Sequence, residues 1–145
     1  MMRRFYALLP LFVTLLMPTD AWAESLNVGD SFKSEGITFR VTSTNPKEVQ
    51  VGEGTSSSGY VAIDKNTEGP LTIPSNVMGN DGNSYSVTSI GERAFYDCGK
   101  LTSISLPNTL IDIEYGAFEG CYGVKSIELP NSLKSIDAGA FHYCI

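Results

Sequence analysis

Three cysteines and a single histidine are the residues in this chain best suited to chemistry. Cys98, Cys121 and Cys144 are separated by 23 and 23 residues, and His142 lies two residues before Cys144. A His–Cys pair suggests a metal, but two ligands fall short of the four that close a zinc site. Thiols that act as nucleophiles or redox centres need an accessible, electropositive setting, and the neighbours here are acidic. Gly52-Glu-Gly54 through Gly59 lacks the Lys-Ser/Thr of a phosphate loop. Asn80-Asp81-Gly82 offers one carboxylate, too few for a calcium loop. No Ser-His-Asp set can be built around the lone His142, and no carboxylate pair is singled out for glycoside hydrolysis. The chain reads as a non-enzyme with no cofactor and no metal.

The equal intervals make the cysteines a ruler. An odd number at constant spacing is not a disulfide framework, and the neighbouring residues share the period. Ile90, Ile113 and Ile136 are in phase, as are Ala94-Phe95, Ala117-Phe118 and Ala140-Phe141. Leu101 matches Val124, Ile104 matches Ile127, Leu106-Pro107-Asn108 matches Leu129-Pro130-Asn131, and Leu110 matches Leu133. By the same phase His142 occupies the variable position of Tyr96 and Glu119. A fainter unit, Leu71-Thr72-Ile73-Pro74, precedes these at an offset of 33. The ten extra residues contain Asp81-Gly82, a hairpin turn signal, so a hairpin insertion is predicted at about 78–87.

Each unit implies its own local structure. In Leu101-Thr-Ser-Ile104-Ser-Leu106, Ile104 and Leu106 alternate with polar residues, which predicts a short strand that ends at Pro107. Leu110 and Ile113 return inward, and Ala117-Phe118 predicts a compact helical or 3₁₀ segment closed by the small, apolar Cys121. One unit cannot bury such a face alone. Stacking puts like on like, in Ile, Phe and Cys ladders, which predicts a repeat solenoid.

The pattern Leu101-x-x-Ile104-x-Leu106-Pro107-x-x-Leu110-x-x-Ile113-x-x-x-Ala117-Phe118-x-x-Cys121 resembles the BspA-type leucine-rich repeat, over residues 71–145. The resemblance implies a leucine-rich-repeat solenoid on a secreted or cell-surface protein. It also implies adhesin-like binding of host matrix or of other cells.

The remaining sequence supplies an address and a lead-in. Arg3-Arg4, the apolar run Ala7–Met17 and Ala21-Trp22-Ala23 have the order of a secretory signal peptide, with cleavage expected after Ala23. The run is too short to span a membrane, and no transmembrane segment is expected in the mature chain. Losing Arg3, Arg4 and Asp20 leaves 8 basic and 15 acidic residues of the original 10 and 16, a net charge of −7. Such a chain has no basic patch for nucleic acid or an anionic membrane. Residues 24–69 read as a β-rich N-terminal cap, from the alternation in Ile37–Val41 and Glu48–Val51 and a third candidate strand, Tyr60–Ile63. A separate ligand-binding domain is the rival reading, for which 46 residues is small.

The expected interaction surface is the strand face, where Thr72, Ser103, Ser105, Ser126 and Glu128 stand between the inward apolar residues. Partners would be proteins or glycans on host or neighbouring cells. A carbohydrate-capture module is the alternative; it would favour a strip of exposed aromatics, whereas Tyr96, Tyr115, Tyr122 and Tyr143 look scattered. The last repeat stops at Ile145 without a polar cap, so an exposed apolar end is expected, from either a truncated fragment or end-to-end self-association.

Overall fold

The structure, a computed structural model, describes residues 24–53 and 61–144. The expected signal peptide (1–23), the glycine-rich loop at 54–59, Tyr60 of the third candidate strand and Ile145 lie outside the described residues.

The first strands among the described residues form an antiparallel meander of β1 (Ser31–Ser34), β2 (Ile37–Thr44) and β3 (Lys47–Val51). Glu35 and Gly36 both take positive φ (50° and 82°), as a two-residue turn that follows the strand twist requires. Phe32 faces Phe39 across β1–β2, with ring centres 5.9 Å apart. Alternation in β2 is incomplete, because Thr38 is buried along with Ile37 and Phe39. Its amide donates to the Ala62 carbonyl at 2.8 Å, so both faces are covered there.

From β3 onward the pairing turns parallel. β3 pairs with β6 (Ser84–Ile90), β6 with β8 (Asp112–Ile113), and β8 with β9 (Ser135–Ile136). The register aligns Val51, Ile90, Ile113 and Ile136 in one row. β5 (Asn76–Met78) pairs antiparallel with the first half of β6 through a turn at Gly79–Asn83. A second, two-stranded sheet pairs β4 (Gly69–Thr72) with β7 (Leu101–Ser105) in parallel, and a single bridge, Ile104–Ile127, extends it.

The two sheets are joined by the segments that carry Ala-Phe and Cys. These are chains of turns, and the described residues contain no helix, which corrects the expected helical or 3₁₀ segment. The reason lies in how the amides are shared. Ala94, Tyr96 and Cys98 donate three residues back, to Gly91, Arg93 and Phe95. The intervening amides of Arg93, Phe95 and Asp97 donate onward instead, to Tyr115, Ala117 and Glu119 of the next repeat. Gly116, Phe118 and Gly120 do the same toward Ala138, Ala140 and His142. A helix would need every amide for itself. Two left-handed positions per repeat make the alternation feasible: Arg93, Gly116 and Gly139 (φ 51°, 59° and 68°), and Asp97, Gly120 and Tyr143 (60°, 78° and 57°).

The third candidate strand, where described, is a bend rather than a strand. Ala62 donates to the Ala94 carbonyl at 2.6 Å, the bond that Phe95 makes to Ala117 and Phe118 to Ala140. Ala62 therefore sits in phase with the phenylalanines, in the turn position of a repeat. With Val51 in the isoleucine row and Leu71 opposite Ile104, the repeat phase reaches back to β3.

The core follows this phase. Phe95 stacks on Phe118 and Phe118 on Phe141, with ring centres 5.2 and 5.3 Å apart and planes within 3° and 7°. Ala94, Ala117, Ile90, Ile113, Cys98, Cys121, Leu101 and Leu110 are fully buried beside them. Burial thins at the last repeat, where Phe141, Leu133 and Cys144 are half-buried and Leu129 and Ile136 are exposed at 47% and 44%.

Candidate functional site: a groove in the strand face

β7 turns Leu101 and Ile104 into the core and leaves Thr102, Ser103 and Ser105 exposed. The following repeat does the same with Val124 inside, Ile127 half-buried, and Ser126 and Glu128 exposed. The two rows do not pair as β4 and β7 do. β4 and β7 hold four partner pairs, and Ile73 adds a backbone bond to Ser105 at 3.0 Å. Past β7 the ladder narrows to the one bridge at Ile104–Ile127. A groove of about 370 Å³ lies beside this bridge.

Ser103, Ser105, Ser126 and Glu128 line this groove together with Ile104 and Leu106 of the same strand segment. Four of the five residues singled out in the sequence thus share one depression. The fifth, Thr72, is exposed on β4 opposite Ser105 and does not line it. A second depression of about 190 Å³ is lined by Leu106, Asn108, Glu128, Leu129, Pro130 and Asn131. Leu106 and Glu128 are common to both, so the two depressions adjoin along one trough. Asn108 and Asn131 were not anticipated as lining residues. Their signal was the repeated Leu-Pro-Asn, in which Asn follows the strand-ending proline. Among the described residues Glu128 is the only ionisable side chain lining the trough, and the other polar side chains there are hydroxyls and amides.

The reactive residues lie elsewhere and are structural. Cys121 donates its thiol to the Phe95 carbonyl at 3.2 Å, and Cys144 to Phe118 at 3.0 Å. Burial pushes the Cys98 thiol up to about 11, against the pull of Lys65, and the Cys121 thiol up to about 12. Both are held as neutral hydrogen-bonding groups, the opposite of an activated nucleophile. His142 is exposed, stacks on Tyr143 with ring centres 3.8 Å apart, and places Nδ1 3.9 Å from Glu119. Among the described residues no group of three His, Cys, Asp or Glu could hold a metal ion. Burial also raises the Glu114 carboxyl, which accepts the Glu92 amide at 2.8 Å. Two of the tyrosines that look scattered in the sequence are linked in space. The Arg93 guanidinium lies 5.5 Å from the ring centres of both Tyr96 and Tyr115, and Lys65 sits 5.2 Å from that of Tyr96.

Residues 83–145 match a family model described as a BspA type leucine rich repeat region of six copies. A comparison with curated proteins finds no match. Among solved structures, a leucine rich cell surface protein from Faecalibacterium prausnitzii is 27% identical, with a TM-score of 0.61 over 79% of this chain and 28% of its own. The pneumococcal vaccine antigen PcpA is 24% identical, with a TM-score of 0.65 over 81% of this chain and 31% of its own. The T. pallidum leucine rich repeat protein is 24% identical, with a TM-score of 0.61 over 79% and 46%. The chain therefore spans less than half the length of each of these three. Among the described residues no helix is long and apolar enough to cross a membrane.

Proposed function

From the premise that residues 83–145 belong to the BspA-type leucine-rich repeat family, we propose that this protein is a secreted or cell-surface interaction protein. It acts as an adhesin-like binder of host matrix or cell-surface proteins. The signal-like order of residues 1–23 supports export, and the likeness to a cell surface protein from F. prausnitzii supports the surface location. In this reading the repeats form a solenoid, residues 24–69 cap its first coil, and the partner lies along the strand face.

The observation that carries the proposal is the trough between β7 and the Ser126–Glu128 row. It gathers Ser103, Ser105, Ser126 and Glu128 beside half-buried Leu106, a largely polar surface of the kind found at the rim of recognition sites. The same reading gives the exposed Leu129 and Ile136 a role in self-association.

The test is binding of the secreted protein to immobilised matrix proteins and to a glycan array, beside a Ser105→Trp variant that fills the groove. Matrix binding lost in Ser105→Trp supports the proposal. Binding to glycans alone favours carbohydrate capture, and binding that ignores Ser105→Trp removes the groove from the account.

A further inference from the structure

We propose that the outer face of the last described repeat pairs with the same face of a second copy about a two-fold axis, so that the turns at 139–143 of each copy lie over β9 of the other. The inference rests on the self-association read above from Leu129 and Ile136, and adds to it the partner, the symmetry and the contacts. It depends neither on the groove nor on any host molecule.

The main chain of the repeats is polarised along the stack. In the turn segments the amides donate onward, from Arg93, Phe95 and Asp97 to the next repeat, and from Gly116, Phe118 and Gly120 to the one after. The equivalent amides of the last described repeat belong to Gly139, Phe141 and Tyr143, and among the described residues they meet no backbone acceptor. In the row of β6, β8 and β9 the direction is reversed. The Thr88 and Ile90 carbonyls accept the amides of Ile111 and Glu114 at 2.7 and 2.9 Å, and the Ile111 and Ile113 carbonyls accept those of Lys134 and Asp137 at 2.7 and 2.8 Å. The equivalent carbonyls of Lys134 and Ile136 accept no backbone amide from a later repeat among the described residues. One face thus carries three donors on its turn side and two acceptors on its strand side. Backbone groups that are covered must be paired, so the covering surface has to bring acceptors to the turns and donors to β9. The same face of a second copy does both when it is turned about an axis running between the two sides.

The side chains agree with this crossing. Among the described residues Phe141 has a ring neighbour on one side only, and Ile136 is 44% exposed. The crossing sets each Phe141 ring over Ile136 of the other copy. An apolar hollow of about 260 Å³ lies beside the ring, lined among others by Phe118, Cys121, Val124, Leu129 and Cys144. Exposed Lys134 and Asp137 flank β9 with one charge of each sign, so the pairing does not gather like charge. Copies that met turn to turn would instead set donors against donors. At the opposite end of the row β3 is already paired with β2. The association therefore closes at two copies and does not grow into a filament.

The experiment uses the secreted product of the full chain. Sedimentation should show its mass rising with concentration to twice that of the monomer and no further. Hydrogen exchange at the Phe141 and Tyr143 amides should slow at least about tenfold where the dimer prevails, because both become bonded. Ile136 is exposed, so Ile136→Lys should keep the wild-type circular dichroism while staying monomeric and losing that protection. Phe141→Glu should be monomeric as well. Mixed together, the two variants should form a dimer with one copy of each. The crossing sets the new lysine opposite the new glutamate at one junction and keeps the native pair at the other. A monomer at the highest soluble concentration, a mass beyond the dimer, a dimer that survives Ile136→Lys, or exchange that ignores concentration would each overturn the inference. If both variants fold and fail to pair, the crossed arrangement falls; if Phe141→Glu does not fold, the mass ceiling and the exchange decide. A monomer with Ser105→Trp-sensitive matrix binding removes this pairing and leaves the interaction reading standing. A dimer that binds neither matrix nor glycans does the reverse.

Discussion

Cys121 donates its thiol to the carbonyl of Phe95, 26 residues earlier in the chain, at 3.2 Å. The Cys row is therefore part of the hydrogen bonding between repeats as well as of the core. Cys121→Ala removes a buried sulfur and leaves the Phe95 carbonyl with the Cys98 amide as its remaining donor, at an expected cost of about 1–2 kcal/mol by urea denaturation. Because burial raises the folded thiols to about 11 (Cys98) and about 12 (Cys121) from 9.0, their contribution is whole below pH 9. It is lost as pH rises toward those values, since the unfolded chain gives up its protons first. In the folded protein an aromatic disulfide reagent should label half-buried Cys144 well before Cys98 or Cys121. Equal rates would contradict the burial.

The phenylalanine stack should show its position in the energetics. Phe118 is sandwiched between Phe95 and Phe141 and is 1% exposed, whereas Phe141 is half-buried with a ring neighbour on one side. Phe118→Ala is expected to cost about 3–5 kcal/mol, the range for a buried phenylalanine that leaves a cavity. Phe141→Ala should cost less than half as much, because water already reaches one side of that ring. A comparable loss in both variants would show that the last repeat is as well covered as the middle one.

Gly120 and Asp97 occupy the same left-handed position in successive repeats, at φ 78° and 60°. A Cβ on Gly120 would also stand 3.2 Å from the Asp97 Cα. Gly120→Ala should destabilise by at least about 1–2 kcal/mol, the backbone penalty for an L-residue there. Asp97→Gly relieves that penalty and should be neutral or gain up to about 1 kcal/mol. Thermal melts of the two variants should move in opposite directions, or at least differ in sign from a shared loss.

Much of this could be read from spacing alone. Identical residues 23 apart, such as Ile90, Ile113 and Ile136, placed the parallel row, and the family resemblance carried the leucine-rich repeat. Two features were hidden for physical reasons. The Ala-Phe segment is compact in either a helix or a set of turns, and only the destination of alternate amides decides between them. Ala62 has an offset of 33 from Phe95 and lacks the ring, so its place in the repeat emerges from its bond to Ala94. The groove was half legible. Ser103 matches Ser126 and Ser105 matches Glu128 by phase, which marks a face. Equivalent residues predict equivalent pairing, however, and the lapse of the ladder beyond β7 breaks that equivalence.

Exposed Leu129 and Ile136, beside half-buried Ile127, Leu133 and Phe141, put apolar surface on the last described repeat. Self-association through it should appear as a concentration-dependent rise in mass by sedimentation. Leu129→Lys with Ile136→Lys should return the protein to a monomer with unchanged circular dichroism, since both side chains are already exposed. A wild-type monomer at the highest soluble concentration would remove this interface.

Asp81 ties the start of the described chain to the hairpin, and its titration should be visible in stability. Its carboxylate accepts the amides of Leu26 (3.2 Å) and Asn83 (3.0 Å), the Asn83 side-chain amide (2.7 Å) and the hydroxyl of buried Tyr85 (2.9 Å). Desolvation acts to raise the Asp81 carboxyl, but these donors outweigh it and hold the group well below its ordinary 3.8. Burial and the same hydrogen bond push the Tyr85 hydroxyl up to about 12. Asp81→Asn replaces an acceptor-only group with one that brings its own donors, and should lose about 1–3 kcal/mol near neutral pH. The signs at the two extremes are opposite. A depressed carboxyl stabilises above its unfolded value, so the gap between wild type and Asp81→Asn should hold above pH 4 and narrow steadily as pH falls below it. A raised tyrosine stabilises below its unfolded value of 10, so wild type should weaken relative to Tyr85→Phe as pH climbs from 10 toward 12. Denaturant midpoints across that range check both limbs, and a gap that does not change with pH would show that the Asp81 charge plays no part in holding the hairpin.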